Sequence, residues 1–362
     1  MHVVKTSSPI RFPDGTQLAP GEWLCNDDNA FQIGLMATRA SVRAHTWNGV
    51  NPKTNMWYWD QSKPEWIKSI LLIRSGAIGD LLLLSPCIAA LKAKYPHAKI
   101  TLACFPRHRP IVQDMGFDAV IDYPVHLSAI GDHDLVIPLE HIVELSTEKG
   151  VHATDAYAEA LGVSVIDYKP KYRVTDEETQ WAHNAFKRLH DTRQDKWTPR
   201  IALHLQSSAS IRNYPMELWQ VVIQALIERG WEVMLLGNTV TMKGGPKGLH
   251  DCSRLSFREA AAVLATCDAF CGVDSSFFNL APALGIPAVG LFGPVDWRTR
   301  VKEGNGQIAL HGEGCEPCHW TNARAGVKMP PLMPCAPKQQ CVLLSSIRPE
   351  RIVAVVEREA KK

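Results

Sequence analysis

At 362 residues the chain exceeds what one hydrophobic core ordinarily serves, so two domains are expected. Apolar residues at 46%, charged residues at 21% and a net charge of only +2 exclude a disordered chain and a strongly electrostatic nucleic-acid binder. No apolar run reaches the roughly 20 residues that span a bilayer, and the start, Met1-His2-Val3-Val4-Lys5, lacks the apolar core of a signal peptide, so a cytoplasmic protein without a transmembrane segment is expected.

Residues 1–66 read as a small β-rich accessory module, with short β-prone stretches and turn signals at Pro13-Asp14-Gly15 and Asn48-Gly49. Trp47, Trp57, Tyr58, Trp59 and Trp66 either build the core of this module or bind rings. From Ser69 the rhythm becomes strand, loop, helix. Ser69–Arg74 is a continuous apolar run of the kind found in a parallel strand covered on both faces, and a helix is expected over 80–94. Strands follow at Lys99–Cys104, Ala119–Asp122 and Asp134–Pro138, which gives residues 67–190 the pattern of a Rossmann-like doubly wound domain.

Thr175-Asp176-Glu177-Glu178 is a capping-box pattern opening a helix to about Leu189, and the polar stretch Asp191–Pro199 reads as an interdomain linker. A second α/β series occupies 191–362, with strands at Arg200–Leu205, Trp231–Leu236, Ala269–Val273 and Ala288–Phe292 and a helix over 215–229. Of the ten cysteines, Cys87, Cys104, Cys267 and Cys271 lie in apolar segments and read as small buried hydrophobes. The Cys-rich segment 315–341 is different. Cys315-x2-Cys318 with Cys335 and Cys341 has the spacing of a structural zinc site, with His319 as a substitute ligand, or else the four form disulfides or stay as thiols.

In an open α/β sheet ligands bind beyond the carboxyl ends of the strands, so three loops are the candidate sites. In the first, Arg74-Ser75-Gly76-Ala77-Ile78-Gly79-Asp80, Gly76 and Gly79 let the backbone approach a phosphate or acceptor, and Asp80 is either a helix N-cap or a functional carboxylate. The second holds Ser207, Ser208 and Arg212, groups suited to a diphosphate, with Pro215 opening the next helix. The third, Gly272-Val273-Asp274-Ser275-Ser276 through Asn279, is a strand-to-helix turn with free N–H groups, where Asp274 can accept from donor hydroxyls.

In this order and spacing the loops resemble the heptosyltransferase family, glycosyltransferase family 9. Ile70 to Asp80 with Pro86 and Leu91 is similar to the family's N-terminal signature, and Val273-Asp274-Ser275 through Leu291-Phe292-Gly293-Pro294 to its C-terminal one. The resemblance implies a GT-B fold, two Rossmann-like domains facing a cleft, with the acceptor on the first and a nucleotide-diphosphate sugar on the second. It implies an inverting, metal-independent transfer of a heptose-like or other sugar to an acceptor hydroxyl, with Asp80 as catalytic base and Ser207, Ser208, Arg212, Asp274, Ser275, Ser276 and Asn279 on the donor. No catalytic cofactor is implied.

Two departures stand out. Asp274-Ser275-Ser276 and Asn279 replace the family's usual Asp-Thr-Gly and His, and Gly237-Asn238-Thr239 lacks an acidic residue for a ribose. A glycan or lipid-linked glycan acceptor is expected rather than nucleic acid. The alternatives are transfer to modified DNA or protein, for which Arg39, Arg43, His45, Trp47, Arg107, His108 and Arg109 supply basic and aromatic groups, or a catalytically silent nucleotide- or sugar-binding protein.

Overall fold

The computed structural model describes residues 1–6, 9–11, 17–26, 43–46, 67–187, 190–191, 196–237, 245–318, 335 and 340–361. Trp47, Trp57, Tyr58, Trp59, Trp66, Arg39, Asn238, Thr239 and His319 lie outside them, and the side chains of Arg43 and His45 are not described. The chain forms two compact units, one of Met1–Leu81, Cys87–Ile142 and Tyr157–Val165, the other of Leu82–Pro86, Val143–Ala156 and Ile166–Lys362.

In the first unit the strands are β1 (His2–Thr6), β2 (Ile10–Arg11), β3 (Gln17–Leu18), β4 (Gly21–Cys25), β5 (Arg43–Thr46), β6 (Ser69–Ile73), β7 (Lys99–Cys104), β8 (Ala119–Asp122), β9 (Val125–His126) and β10 (Leu135–Pro138). A parallel sheet runs in the order β10-β6-β7-β8, with Ile70 between Leu135 and Ile100. Ile70 through Ile73 are fully buried, as a strand with helices or loops on both faces requires. The sequence order folds back between β6 and β10, which makes their carboxyl ends the switch point.

Of the strands of residues 1–66, β5, β1 and β4 form an antiparallel sheet with β9 of the Rossmann-like part, in the order β5-β1-β4-β9, and β2 pairs with β3. Val3, Val4, Leu24 and Cys25 share one apolar cluster with Leu71, Ile73, Ala103 and Val136. These strands therefore complete the core of the first unit. The expected helix over 80–94 is two helices, Ile78–Leu84 and Pro86–Lys94. Pro86 has no N–H and its ring crowds the carbonyl four residues back, and that carbonyl, of Leu82, accepts instead from Ser85 Oγ at 2.7 Å.

The second unit contains β11 (His190–Asp191), β12 (Lys196–Trp197), β13 (Arg200–His204), β14 (Glu232–Leu236), β15 (Leu249–Cys252), β16 (Ala269–Val273), β17 (Ala288–Phe292) and β18 (Gln307–His311). Its parallel sheet has the order β15-β14-β13-β16-β17-β18, the doubly wound order with its switch point between β13 and β16. The unit starts before the polar 191–199 stretch, which holds the β11–β12 ladder. The helix Asp176–Ala185 belongs to it, opened by the full Thr175–Glu178 capping box, and Glu178 pairs with Arg258. Pro215 sits at the N-cap of Met216–Glu228, one place earlier than its usual first-turn position. No helix among the described residues is long and apolar enough to cross a membrane.

Arg200 opens β13 with 0% exposure and is matched by Glu232 of β14 at 1%. Glu232 Oε2 accepts from Arg200 Nε at 3.3 Å and Nη2 at 3.1 Å, while Nη1 donates to Thr266 Oγ1 at 3.2 Å and Nη2 also to the Phe186 carbonyl at 3.0 Å. Removing one partner of a buried pair leaves the other charge uncompensated. Glu232→Ala is expected to destabilise the second unit by about 3–5 kcal/mol. Urea unfolding checks this, and a midpoint equal to that of the parent would contradict it.

Candidate active site

The loop after β6 carries a chain of charge-assisted hydrogen bonds. Arg74, 2% exposed, donates through Nη2 to Asp80 Oδ2 at 2.6 Å and through Nη1 to the Leu139 carbonyl at 3.3 Å, and Nη1 lies 3.6 Å from Glu140 Oε2. Glu140 follows β10, the strand on the other side of the switch point, and accepts from Ser75 N at 2.6 Å and Ser75 Oγ at 2.9 Å. Asn26, just beyond β4, donates from Nδ2 to Ser75 Oγ at 2.9 Å and from its backbone N–H to the Tyr123 hydroxyl.

Of the two roles open to Asp80 from the sequence, that of N-cap is not the one it takes. It is the third residue of the helix Ile78–Leu84 and reaches back so that Oδ2 accepts from Ala77 N at 3.2 Å, the half of a capping box that an acidic side chain can supply. Both of its contacts fall on Oδ2, and among the described residues none falls on Oδ1. A Cβ on Gly76 would stand 2.5 Å from Asp80 Oδ2 and 2.6 Å from the Arg74 guanidinium carbon, so glycine is what lets the two meet. From the loop after β7, the buried His108 is pushed down to about 4 by burial, with Arg107 adding to the effect and the charge of Asp80 opposing it.

At the switch point of the second unit, Asp274 follows β16 with 5% exposure and accepts from Arg212 Nη1 at 3.1 Å. Arg212 Nη2 reaches Ser208 Oγ at 3.4 Å. Ser207 turns its hydroxyl to the Ala209 carbonyl at 3.0 Å and its N–H to Asn213 Oδ1 at 2.7 Å, which shapes the loop that presents Arg212. Ser275 is the N-cap of the helix Ser276–Ala283, and its Oγ lies 2.9 Å from His204 Nδ1 at the end of β13. Asn279 is 3% exposed, with no hydrogen-bond partner for Oδ1 among the described residues. The arrangement offers an anion one guanidinium, hydroxyls and the first-turn N–H groups of a helix.

His204 and Glu140 were not singled out from the sequence. His204 stood inside the expected strand Arg200–Leu205 and at the start of the second candidate loop without a role of its own, and its signal is Gly237, whose φ of +92° and missing Cβ leave room for the imidazole. Glu140 gave no signal beyond standing after a strand. Of the Cys-rich segment, Cys335 and Cys341 are buried and Cys315 packs on the main core of the second unit, and a Cβ on Gly293 would stand 2.7 Å from Cys341 Sγ. Burial raises the Cys318 thiol, followed by the charges of Cys335 and Cys315, and burial pushes Cys341 up to about 11. Among the described residues no three His, Cys, Asp or Glu side chains converge as metal ligands.

The family model described as glycosyltransferase family 9 (heptosyltransferase) matches residues 132–326, more than half of the chain. The chain belongs to glycosyltransferase family 9. Lipopolysaccharide heptosyltransferase 1 of Pseudomonas aeruginosa is 30% identical over 115 residues, a stretch that spans 30% of this chain and 32% of that relative. A family 9 glycosyl transferase from Veillonella parvula has a TM-score of 0.60 at 18% identity, covering 81% of this chain and 97% of the other. The iron-containing dodecameric glycosyltransferase TibC from enterotoxigenic E. coli H10407 has a TM-score of 0.62 at 14% identity, over 82% of this chain and 79% of its own, and has also been solved with ADP-D-β-D-heptose. At such identities the two structures establish the fold, which is GT-B.

In this family 9 protein the His204 imidazole is pushed down to about 4 by burial, so it is neutral at pH 7. An unfolded histidine takes up a proton near pH 6.5. Between that value and about 4 the unfolded chain binds a proton that folded His204 does not, so its contribution to stability is full above the window and is lost as pH falls through it. His108 and His152 act in the same direction. The urea midpoint is expected to drop as pH is lowered from about 7 to about 5 and to drop less in His204→Gln. Equal losses in variant and parent would contradict a buried neutral His204.

Proposed function

We propose that the protein transfers a heptose-like sugar from a nucleotide-diphosphate donor to a hydroxyl of a glycan or lipid-linked glycan by single displacement with inversion. The observation that carries this reading is the pair of sites at the two switch points, a partly exposed carboxylate whose Oδ1 has no hydrogen-bond partner among the described residues in the first unit and an Arg212-centred anion cradle in the second. Asp80 Oδ1 takes the proton of the acceptor hydroxyl as that oxygen forms its bond to the anomeric carbon, and the bond from that carbon to the diphosphate breaks. The charge growing on the leaving diphosphate is met by Arg212, Ser208 and the N-terminus of the helix Ser276–Ala283. These groups supply the electrostatic role that a divalent cation fills elsewhere, so the transfer itself is written without one.

ADP-heptose is the donor to test first, because the TibC complex holds that compound. Asp80→Asn keeps much of the side chain's bonding but cannot accept a proton, and is expected to retain nucleotide binding while losing transfer by roughly 10²–10⁴-fold. Near-parent turnover would contradict the base assignment. Arg212→Ala is expected to weaken nucleoside-diphosphate binding by about 1.5–3 kcal/mol, read by calorimetry. Unchanged affinity would place the phosphates elsewhere.

We also infer that Cys315, Cys318, Cys335 and Cys341, whose side chains do not converge as ligands in the structure, close on one structural metal ion when it binds. The proline-rich segment around them has little apolar pattern with which to order itself. Four thiolates suit zinc and iron alike, and TibC is described as iron-containing. The metal would fix the segment and take no part in transfer. Elemental analysis of protein purified without chelator is expected to find near-stoichiometric metal that Cys315→Ser releases, while metal-free, fully folded protein would contradict the site.

A further inference from the structure

The structure assigns Glu140 as a positioning residue that sets the basicity of Asp80 through Arg74. This rests on the reading of Asp80 as the base. Arg74 is almost wholly buried, and a guanidinium held only against Asp80 at 2.6 Å would stabilise the carboxylate and make it a poor proton acceptor. Glu140 supplies a second carboxylate to the same guanidinium, with its Oε2 at 3.6 Å and its side chain only 8% exposed. The cation thus has a second anion beside it, and part of its pull on Asp80 is offset.

Three observations show that Glu140 is built into this place. Its two oxygens are fixed from the catalytic loop itself, by Ser75 N and Ser75 Oγ. Ser75 Oγ is in turn held by Asn26, so the strand sheet at the start of the chain is tied to the loop that carries Asp80. The next residue, His141, is a non-glycine residue with φ at 63°, a left-handed conformation that costs energy and here turns the chain directly after Glu140. An acceptor for Ser75 alone needs no second charge beside Arg74. The other titratable groups facing the network are few. His108, from the loop after β7, is neutral and feels Asp80, with Arg107 beside it, while Tyr123 beyond β8 feels the charges of Glu140 and Cys25 and stays protonated.

The test is the pH dependence of kcat for the parent, Glu140→Gln and Glu140→Asp, measured with ADP-heptose as donor and any acceptor that the parent glycosylates. In Glu140→Gln the uncompensated Arg74 favours charged Asp80. The acid limb is expected to move down by about one pH unit and the plateau kcat to fall roughly tenfold, with nucleoside-diphosphate affinity unchanged. Glu140→Asp restores the charge and is expected to bring the limb back toward the parent. An unshifted limb in Glu140→Gln, or equal behaviour of the two variants, overturns the assignment and leaves a purely structural role. If Glu140→Gln does not fold, a parent-like limb in the folded Glu140→Asp and a limb moved down in Ser75→Ala, which loosens Glu140 without removing it, support the assignment, and a limb unmoved in Ser75→Ala overturns it. Asp80→Asn is run alongside, since activity in that variant would overturn the base reading, whereas an inactive Asp80→Asn with an unshifted Glu140→Gln overturns only the present inference.

Discussion

A guanidinium buried at the end of a parallel strand has to be matched by carboxylates, and Arg74 at the end of β6 meets that constraint. Arg74 lies against Asp80 and Glu140, two anions for one cation. Arg212 lies against Asp274, with Ser208 on its other arm and a helix N-terminus close in sequence to Asp274. In the proposed reaction the first arrangement supplies the carboxylate that takes the proton, and the second the groups that meet the leaving diphosphate. Both stand where the strand order reverses, because only there do the loops of neighbouring strands part.

The packing of each unit serves these points. Central strands β13 and β16 are buried along their whole length and β6 from Ile70 onward, which holds the start of the loop after each. The loops then do little by flexibility. Ser207 bonds within its own turn, Ser75 is held by both Glu140 and Asn26, and His204 sets Ser275 from within the sheet. In the family 9 reading this rigidity matters, since an electrostatic cradle helps a leaving group only if it is oriented before the charge appears.

The central strands were legible because a run such as Ile70-Leu71-Leu72-Ile73 has no other use than a covered parallel strand. The edge strands β15 and β18 were not. Leu249-His250-Asp251-Cys252 and Gln307–His311 lie at sheet edges, half in solvent, and carry the mixed residues that such places allow. Asp80 and Arg212 could be named from loop spacing, but Glu140 could not, because its role comes from the pairing of β10 with β6 across 65 residues of chain. The same holds for Asn26. A module boundary at residue 66 followed from composition, which carries no sign that Leu24 and Leu71 share a core.

The account stands on one displacement at the anomeric carbon, driven by a base in the first unit and a prepared anion site in the second. The configuration of the product tests this most directly. With an ADP-heptose donor of known anomeric configuration, nuclear magnetic resonance of the first-formed product is predicted to show the opposite configuration at that carbon. A product of retained configuration would contradict the account, since it requires two displacements or a different attacking group in place of an acceptor oxygen activated by Asp80.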